Sequence, residues 1–219
     1  LGFSKIPGYL KANFVLLSHT EFTRSILTKN NLNDIQLDIK LKHLHKIEQK
    51  RQEALKIDQL ISSDADFVPG KISANGKTFN CKLRLKGDLS DHWDNEKCSY
   101  RIRIKDDSNL LGMSSFSLQR PVTRGNTTQF LFLESLRREN VLAVRYNFIN
   151  LKINGKAMGV YAMEEHFSKD LVESQKRREG VIVSFDEYRF WKNLPPAQQN
   201  VHIASTYQSA DIHVRNNKR

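Results

Sequence analysis

Six cations and a handful of carboxylates are the residues of this chain with chemistry to offer. Phe79–Lys86 and Cys98–Lys105 both alternate strictly. In a strand, successive side chains point to opposite faces. Phe79, Cys81, Leu83 and Leu85 then share one face of the first run, and Cys98, Tyr100, Ile102 and Ile104 one face of the second. Lys82, Arg84, Lys86, Arg101, Arg103 and Lys105 fall on the other side. Paired as a hairpin across Gly87–Lys97, the two runs make a sheet with an apolar face for a helix and a cationic face for an anion. The plainer reading is that the cations form the solvated face of a half-buried antiparallel sheet, and alternation alone favours it.

Between the runs lies an acidic loop with Asp88, Asp91, His92 and Asp94. These are metal-ligand types, but their spacing is not that of a calcium loop. Carboxylates in a turn more often cap backbone donors or pair with cations, so no metal site is expected here. Cys81 and Cys98 make neither a disulfide framework nor a zinc site. Their placement on neighbouring strands leaves a pairing open, with buried thiols the preferred reading.

The elements that must position these groups follow from periodicity and turn signals. Ile35, Leu37, Ile39 and Leu41 alternate as a short strand, and a helix follows from Leu44 to Ile61, with an all-polar, exposed middle over Glu48–Glu53. Asn75-Gly76 and Asn154-Gly155 are tight hairpin signals. Ser115–Gln119, Arg145–Ile153 and Met158–Met163 read as strands, the second with a phase shift between Tyr146 and Phe148 on one side of it and Leu151 and Ile153 on the other. Gln129–Asn140 reads as a helix burying Phe130, Leu133 and Leu136, and Ser168–Lys176 as another. Ile6-Pro7-Gly8 is a turn and Phe14–Leu27 has mixed helical spacing; after Trp191 the chain turns polar, with Pro195-Pro196. The order gives an α+β layer: an antiparallel sheet with packed helices. The expected organisation is a lead-in over residues 1–65, a main unit over 66–190 and a polar tail, or the start of a further lobe, over 191–219.

Composition narrows the partners. The 219 residues carry 35 Lys and Arg against 24 Asp and Glu, a net charge of +11, with a pI of about 9.7. Such a balance favours anionic partners. Single-stranded nucleic acid is not expected, because stacking platforms would have to interleave with the cations, and Phe79 and Tyr100 point the other way. No run reaches the ~18–20 apolar residues of a spanning helix. The chain begins at Leu1 and reads as a segment of a longer protein.

Several stretches resemble the CotH kinase family. They are Leu83-Arg84-Leu85-Lys86-Gly87-Asp88, Ser99-Tyr100-Arg101-Ile102, Phe116-Ser117-Leu118-Gln119, Arg145-Tyr146, Ile153-Asn154-Gly155 with Gly159-Val160-Tyr161, and Ala162-Met163-Glu164-Glu165-His166-Phe167. The resemblance spans roughly residues 67–191. It implies a protein-kinase-like amino-terminal lobe, with ATP and Mg²⁺ as cofactors, transfer of phosphate to a protein substrate, and a cell-envelope or spore-surface location. By that analogy Arg101 holds the ATP phosphates, with Arg103 and Lys86 behind it. Glu134 on the Gln129–Asn140 helix orients the cation, and Glu164 and Glu165 meet the adenine edge. The cation–acid pair resembles the lysine–glutamate pair of ordinary kinases.

Two departures stand out. No glycine-rich G-x-G-x-x-G is present, so any phosphate loop must be Gly87–Lys97. The family's catalytic and metal-binding aspartates lie in a carboxy-terminal lobe, and after Trp191 only Asp211 remains. The expectation is therefore no catalytic residue and no metal ligand in this chain, and weak nucleotide binding by it alone. The competing readings are a non-enzymatic module that holds an anionic envelope partner on its basic face, and a pseudokinase scaffold.

Overall fold

The computed structural model describes residues 32–178, 180–186 and 211–214. The turn at Ile6-Pro7-Gly8, the helical spacing of Phe14–Leu27 and the Pro195-Pro196 stretch lie outside them. All that follows concerns the unit Asn33–Arg219.

Seven strands close into a barrel. They are β1 (Asn33–Asp38), β2 (Val68–Ala74), β3 (Lys77–Leu85), β4 (Tyr100–Ile104), β5 (Ser115–Gln119), β6 (Tyr146–Ile153) and β7 (Lys156–Glu165), in the order β1-β2-β3-β4-β5-β7-β6. All neighbours are antiparallel except β6 and β1, which close the ring in parallel, Asn33 opposite Ile149 and Leu37 opposite Ile153. The expected hairpin is present, with Cys81 opposite Ile104, Leu83 opposite Ile102 and Leu85 opposite Tyr100. A separate pair, β8 (Val183–Asp186) and β9 (Asp211–Val214), is antiparallel.

Closure overturns the α+β layer with a kinase-like lobe and packed helices. An open sheet with one apolar face needs a helical layer to cover it. A closed sheet buries that face against itself and leaves no edge. Ile35, Leu37, Ile72, Leu83, Ile102, Phe116, Leu118, Ile149 and Leu151 fill the interior, each at most 1% exposed. The strand read into the lead-in is the element that completes the ring. Asn154 secures it: its side chain accepts from Ile39 N at 2.7 Å and donates to Ile39 O at 2.9 Å, and its own N–H reaches Leu37 O at 2.9 Å.

The helices are accessories to this barrel. Helix α1 (Leu41–Ile57) contributes Ile47 and Ala54 to the barrel core and is otherwise largely exposed. Helix α2 (Thr128–Arg138) does not cover Leu83, Leu85, Ile102 and Ile104 as expected. Its Leu133 joins a second cluster outside the barrel, with Ala143, Val144, Tyr146, Ala162 and Leu171 of the segment 143–144, β6, β7 and α3 (Lys169–Ser174). The phase shift in β6 now has its cause. Ile149, Leu151 and Ile153 face inward, whereas Tyr146 and Phe148 face α2, with Phe148 5.8 Å from the ring of Phe130. Helix and cations thus share the outer side of the sheet. Among the described residues no helix is long and apolar enough to cross a membrane.

Candidate functional site

The carboxy end of β3 delivers Lys86 to the outer surface where α2 stands off the barrel. The turn behind it is built around Gly87, at φ +101°, a conformation that disfavours any residue with a Cβ. A Cβ there would also collide with the His92 side chain. His92 is buried, 2.9 Å from Ser99 Oγ. Burial, with Lys86 and Arg124 adding to it, lowers its pKa to about 4, so the ring is neutral at pH 7. Trp93, fully buried, donates its indole N–H to Gly87 O at 3.0 Å.

Two arginines fasten the rest of the loop. Arg51 of α1 donates to Trp93 O at 2.6 Å and Asp94 O at 3.0 Å. Arg120 donates to Asp94 Oδ1 at 2.9 Å and to Asp91 O. The acidic loop is therefore a buttress for Lys86 held by cations, and its His and Asp residues are not gathered: among the described residues no three metal-ligand side chains converge.

Lys86 Nζ lies 3.0 Å from Glu164 Oε2 and 2.8 Å from Gln119 Oε1, and Gln119 Nε2 donates to Glu164 Oε2 at 2.7 Å. Both charged side chains are less than one-fifth exposed. Burial pulls the Lys86 amine down to about 8 against the opposing pull of Glu164. For Glu164, burial pushes upward, but Lys86, Arg124 and Gln119 outweigh it and leave the carboxyl below its ordinary value. At pH 7 both groups are ionised.

Lys86 and Glu164 of this triad line a cleft of about 250 Å³ between the outer faces of β4, β5 and β7 and helix α2. Lys86, Arg101, Ser117, Glu164 and Glu165 line the barrel side; Gln129, Leu133 and Leu136 line the helix side. One rung of the sheet supplies much of the floor: Arg101 stands opposite Ser117, and Ser117 opposite Glu164. Four of the six residues singled out from sequence therefore meet in one place.

The other two do not. Arg103 lies one rung away, its guanidinium 4.3 Å from the centre of the Phe67 ring and 3.2 Å from Asp64. Glu134 is 3.5 Å from Arg137, its neighbour on the same helix, and is not part of the cleft lining. Glu164 and Glu165 both border the cleft, but as adjacent strand residues their side chains take different partners. Glu165 is buried and receives Arg145 through Nε at 2.8 Å, Nη2 at 2.5 Å and the backbone N–H at 3.1 Å. Hydrogen bonding to Glu165 raises the Arg145 pKa.

Sequence reasoning did not single out Gln119 or Arg124. Gln119 sits at a strand end where the alternating pattern stops. Arg124 is an exposed residue of the 3-10 turn Pro121–Arg124, and its charge is felt by Lys86, His92 and Glu164. Arg145 lay within a stretch that resembled a known family, without a role assigned.

The site is thus a half-buried lysine braced by a carboxylate, beside a cleft that Arg101 also lines, on the outside of a closed barrel. The chain belongs to the CotH kinase protein family, which it matches over residues 83–217, more than half its length. Its function is accordingly kinase-related. Comparison with the curated proteins gave no match.

Proposed function

We propose that the cleft takes the phosphates of ATP, and that the chain is the nucleotide-binding part of a CotH-type kinase that transfers phosphate from ATP to protein. The observation that carries this is the Lys86–Glu164–Gln119 triad opening into a cationic cleft. An ammonium has three N–H donors. Two of them are engaged by Glu164 and Gln119, and the third is available to a phosphate oxygen. Glu164 keeps the amine charged and oriented, as the acidic partner of the kinase lysine does elsewhere. Arg101 and Arg124 add positive charge beside it. A charge-assisted contact to phosphate in a partly desolvated cleft is among the stronger hydrogen bonds.

The cleft is smaller than the ~300–1,000 Å³ of most small-molecule sites, so it suits the polyphosphate and not the whole nucleotide. The residues present fit phosphate but not Mg²⁺. A metal wants uncommitted oxygen ligands, and both cleft carboxylates are already held by cations. On this reading the general base and the Mg²⁺ ligands come from residues other than those described. A spore-surface or envelope setting goes with the family's name.

The test is a titration of the full chain with AMP, ADP and ATP. Affinity rises with phosphate count if the cleft reads the polyphosphate. Equal affinity for all three, or none, removes the reading.

A further inference from the structure

The cations that the cleft does not use form a pattern of their own. Two successive outward rungs of β3 and β4 carry positive charge, the first of them bordering the cleft through Arg101. Arg84 stands opposite Arg101 and Lys82 opposite Arg103; beyond them Lys71 of β2 stands opposite Asn80, whose carbonyl accepts from Lys105 N at 2.9 Å. Lys71, Lys82 and Arg103 are exposed. Outward residues two apart on a strand repeat at about 6.8 Å. An extended peptide presents every second side chain at the same repeat. The countercharge on the exposed part of this face is Asp64 at Arg103, with both side chains about half exposed or more; Asp66, already held by Lys50 and Ser63, and Asp88 act on the half-buried Arg84. An exposed pair of this kind contributes little and exchanges readily. Phe67 lies between Arg84 and Arg103, 5.2 and 4.3 Å from their guanidinium carbons, and holds both against the sheet.

We infer that this outer face of β3 and β4 binds an extended acidic segment of the protein that accepts the phosphate, one with carboxylates at alternate positions. The face runs into the cleft through Arg101, so a segment lying on it leads directly to Lys86. That the bound segment is the phosphate acceptor rests on the reading of the cleft given above; that it binds does not. Both strands are already paired on each side, so the peptide cannot add as a further strand. Recognition is by side-chain charge alone, and it weakens with salt.

The experiment is a fluorescence-anisotropy titration of the full chain with a labelled peptide of alternating glutamate and serine. The comparators are an isomer with its glutamates clustered, an alternating lysine–serine peptide and a labelled single-stranded oligonucleotide. The alternating acidic peptide binds best. Lys82→Glu with Arg103→Glu weakens it by about tenfold or more, while Lys152→Glu, on strand β6 across the barrel, leaves it within about twofold. The milder Lys82→Ala with Arg103→Ala, which removes charge without reversing it, moves binding the same way. Equal loss from Lys152→Glu, equal binding of the clustered isomer, or tighter binding of the oligonucleotide at the same residues overturns the inference. Peptide binding that persists while ATP binding fails supports this inference and discards only the nucleotide reading.

Discussion

Lys86 follows directly on β3 and Glu164 lies on β7, two strands that β4 and β5 separate in the barrel, yet their charged atoms are 3.0 Å apart. Gln119, the last residue of β5, bonds to both. The pair is thus held by the closed sheet itself and does not depend on the position of a helix.

That burial makes the site sensitive to alkaline pH in two opposite senses. The Lys86 pKa falls from 10.5 to about 8 on folding. Between these values the unfolded chain binds more protons than the folded one, so the contribution of this group to stability rises with pH across that window. ATP affinity moves the other way, because the phosphates need the charged amine. It falls by about tenfold from pH 7 to pH 9. Calorimetric ATP titrations and urea midpoints at the two values measure both effects, and Lys86→Met abolishes both if Lys86 is their source.

Glu165 and Arg145 should carry structure and not binding. Glu165 is 3% exposed and receives three hydrogen bonds from Arg145. Removing one partner of such a pair leaves the other charge buried and uncompensated, at a cost of about 3–5 kcal/mol. Glu165→Ala is expected to lower the urea-derived stability by that amount. The nucleotide affinity of the fraction that remains folded should be unchanged.

Gly87→Ala combines a left-handed backbone with a collision against a buried ring. Strain and overpacking together should cost roughly 2–4 kcal/mol. Because the loop buttresses Lys86, ATP affinity should fall as well. Pairing Gly87→Ala with His92→Gly, which removes the Cβ that the new methyl would also strike, should recover part of both, and stability and binding measured on the single and double variants check it.

The strands were readable because a half-buried strand writes its two faces into a period of two, and because the Asn-Gly turns fix where hairpins fold back. Ile35, Leu37 and Ile39 were readable in the same way, but not their destination. A parallel pairing between β1 and β6 joins residues more than a hundred positions apart, and no local pattern encodes it. Its anchor, Asn154, looked only like a turn residue. Without that closure the apolar face of the sheet demanded helices, and the α+β layer followed from the demand.

The site was partly readable for a similar reason. Alternation put Lys86 and Arg101 on one side, and family resemblance drew attention to Glu164 and Glu165. Alternation cannot say that Arg103, with the same type and phase, sits one rung too far along. Helical spacing did not tell that Glu134 turns to Arg137. Gln119 and Arg124 stand where a strand ends and a turn begins, and there periodicity carries no information.

The central claim is that Lys86, held by Glu164, meets the phosphates of ATP. A charged hydrogen bond contributes about 1.5–3 kcal/mol, so its loss is worth tenfold or more in affinity. The direct measurement is a calorimetric titration of ATP into the full chain and into Lys86→Met, the double variant Lys86→Met with Glu164→Gln, and Lys152→Met. The account predicts that Lys86→Met binds ATP at least about tenfold more weakly. The double variant, with both charges gone, should regain stability but not ATP binding, while Lys152→Met should match the wild type. Equal ATP affinity in Lys86→Met and Lys152→Met would contradict it, leaving the triad a structural ion pair on the outside of a barrel.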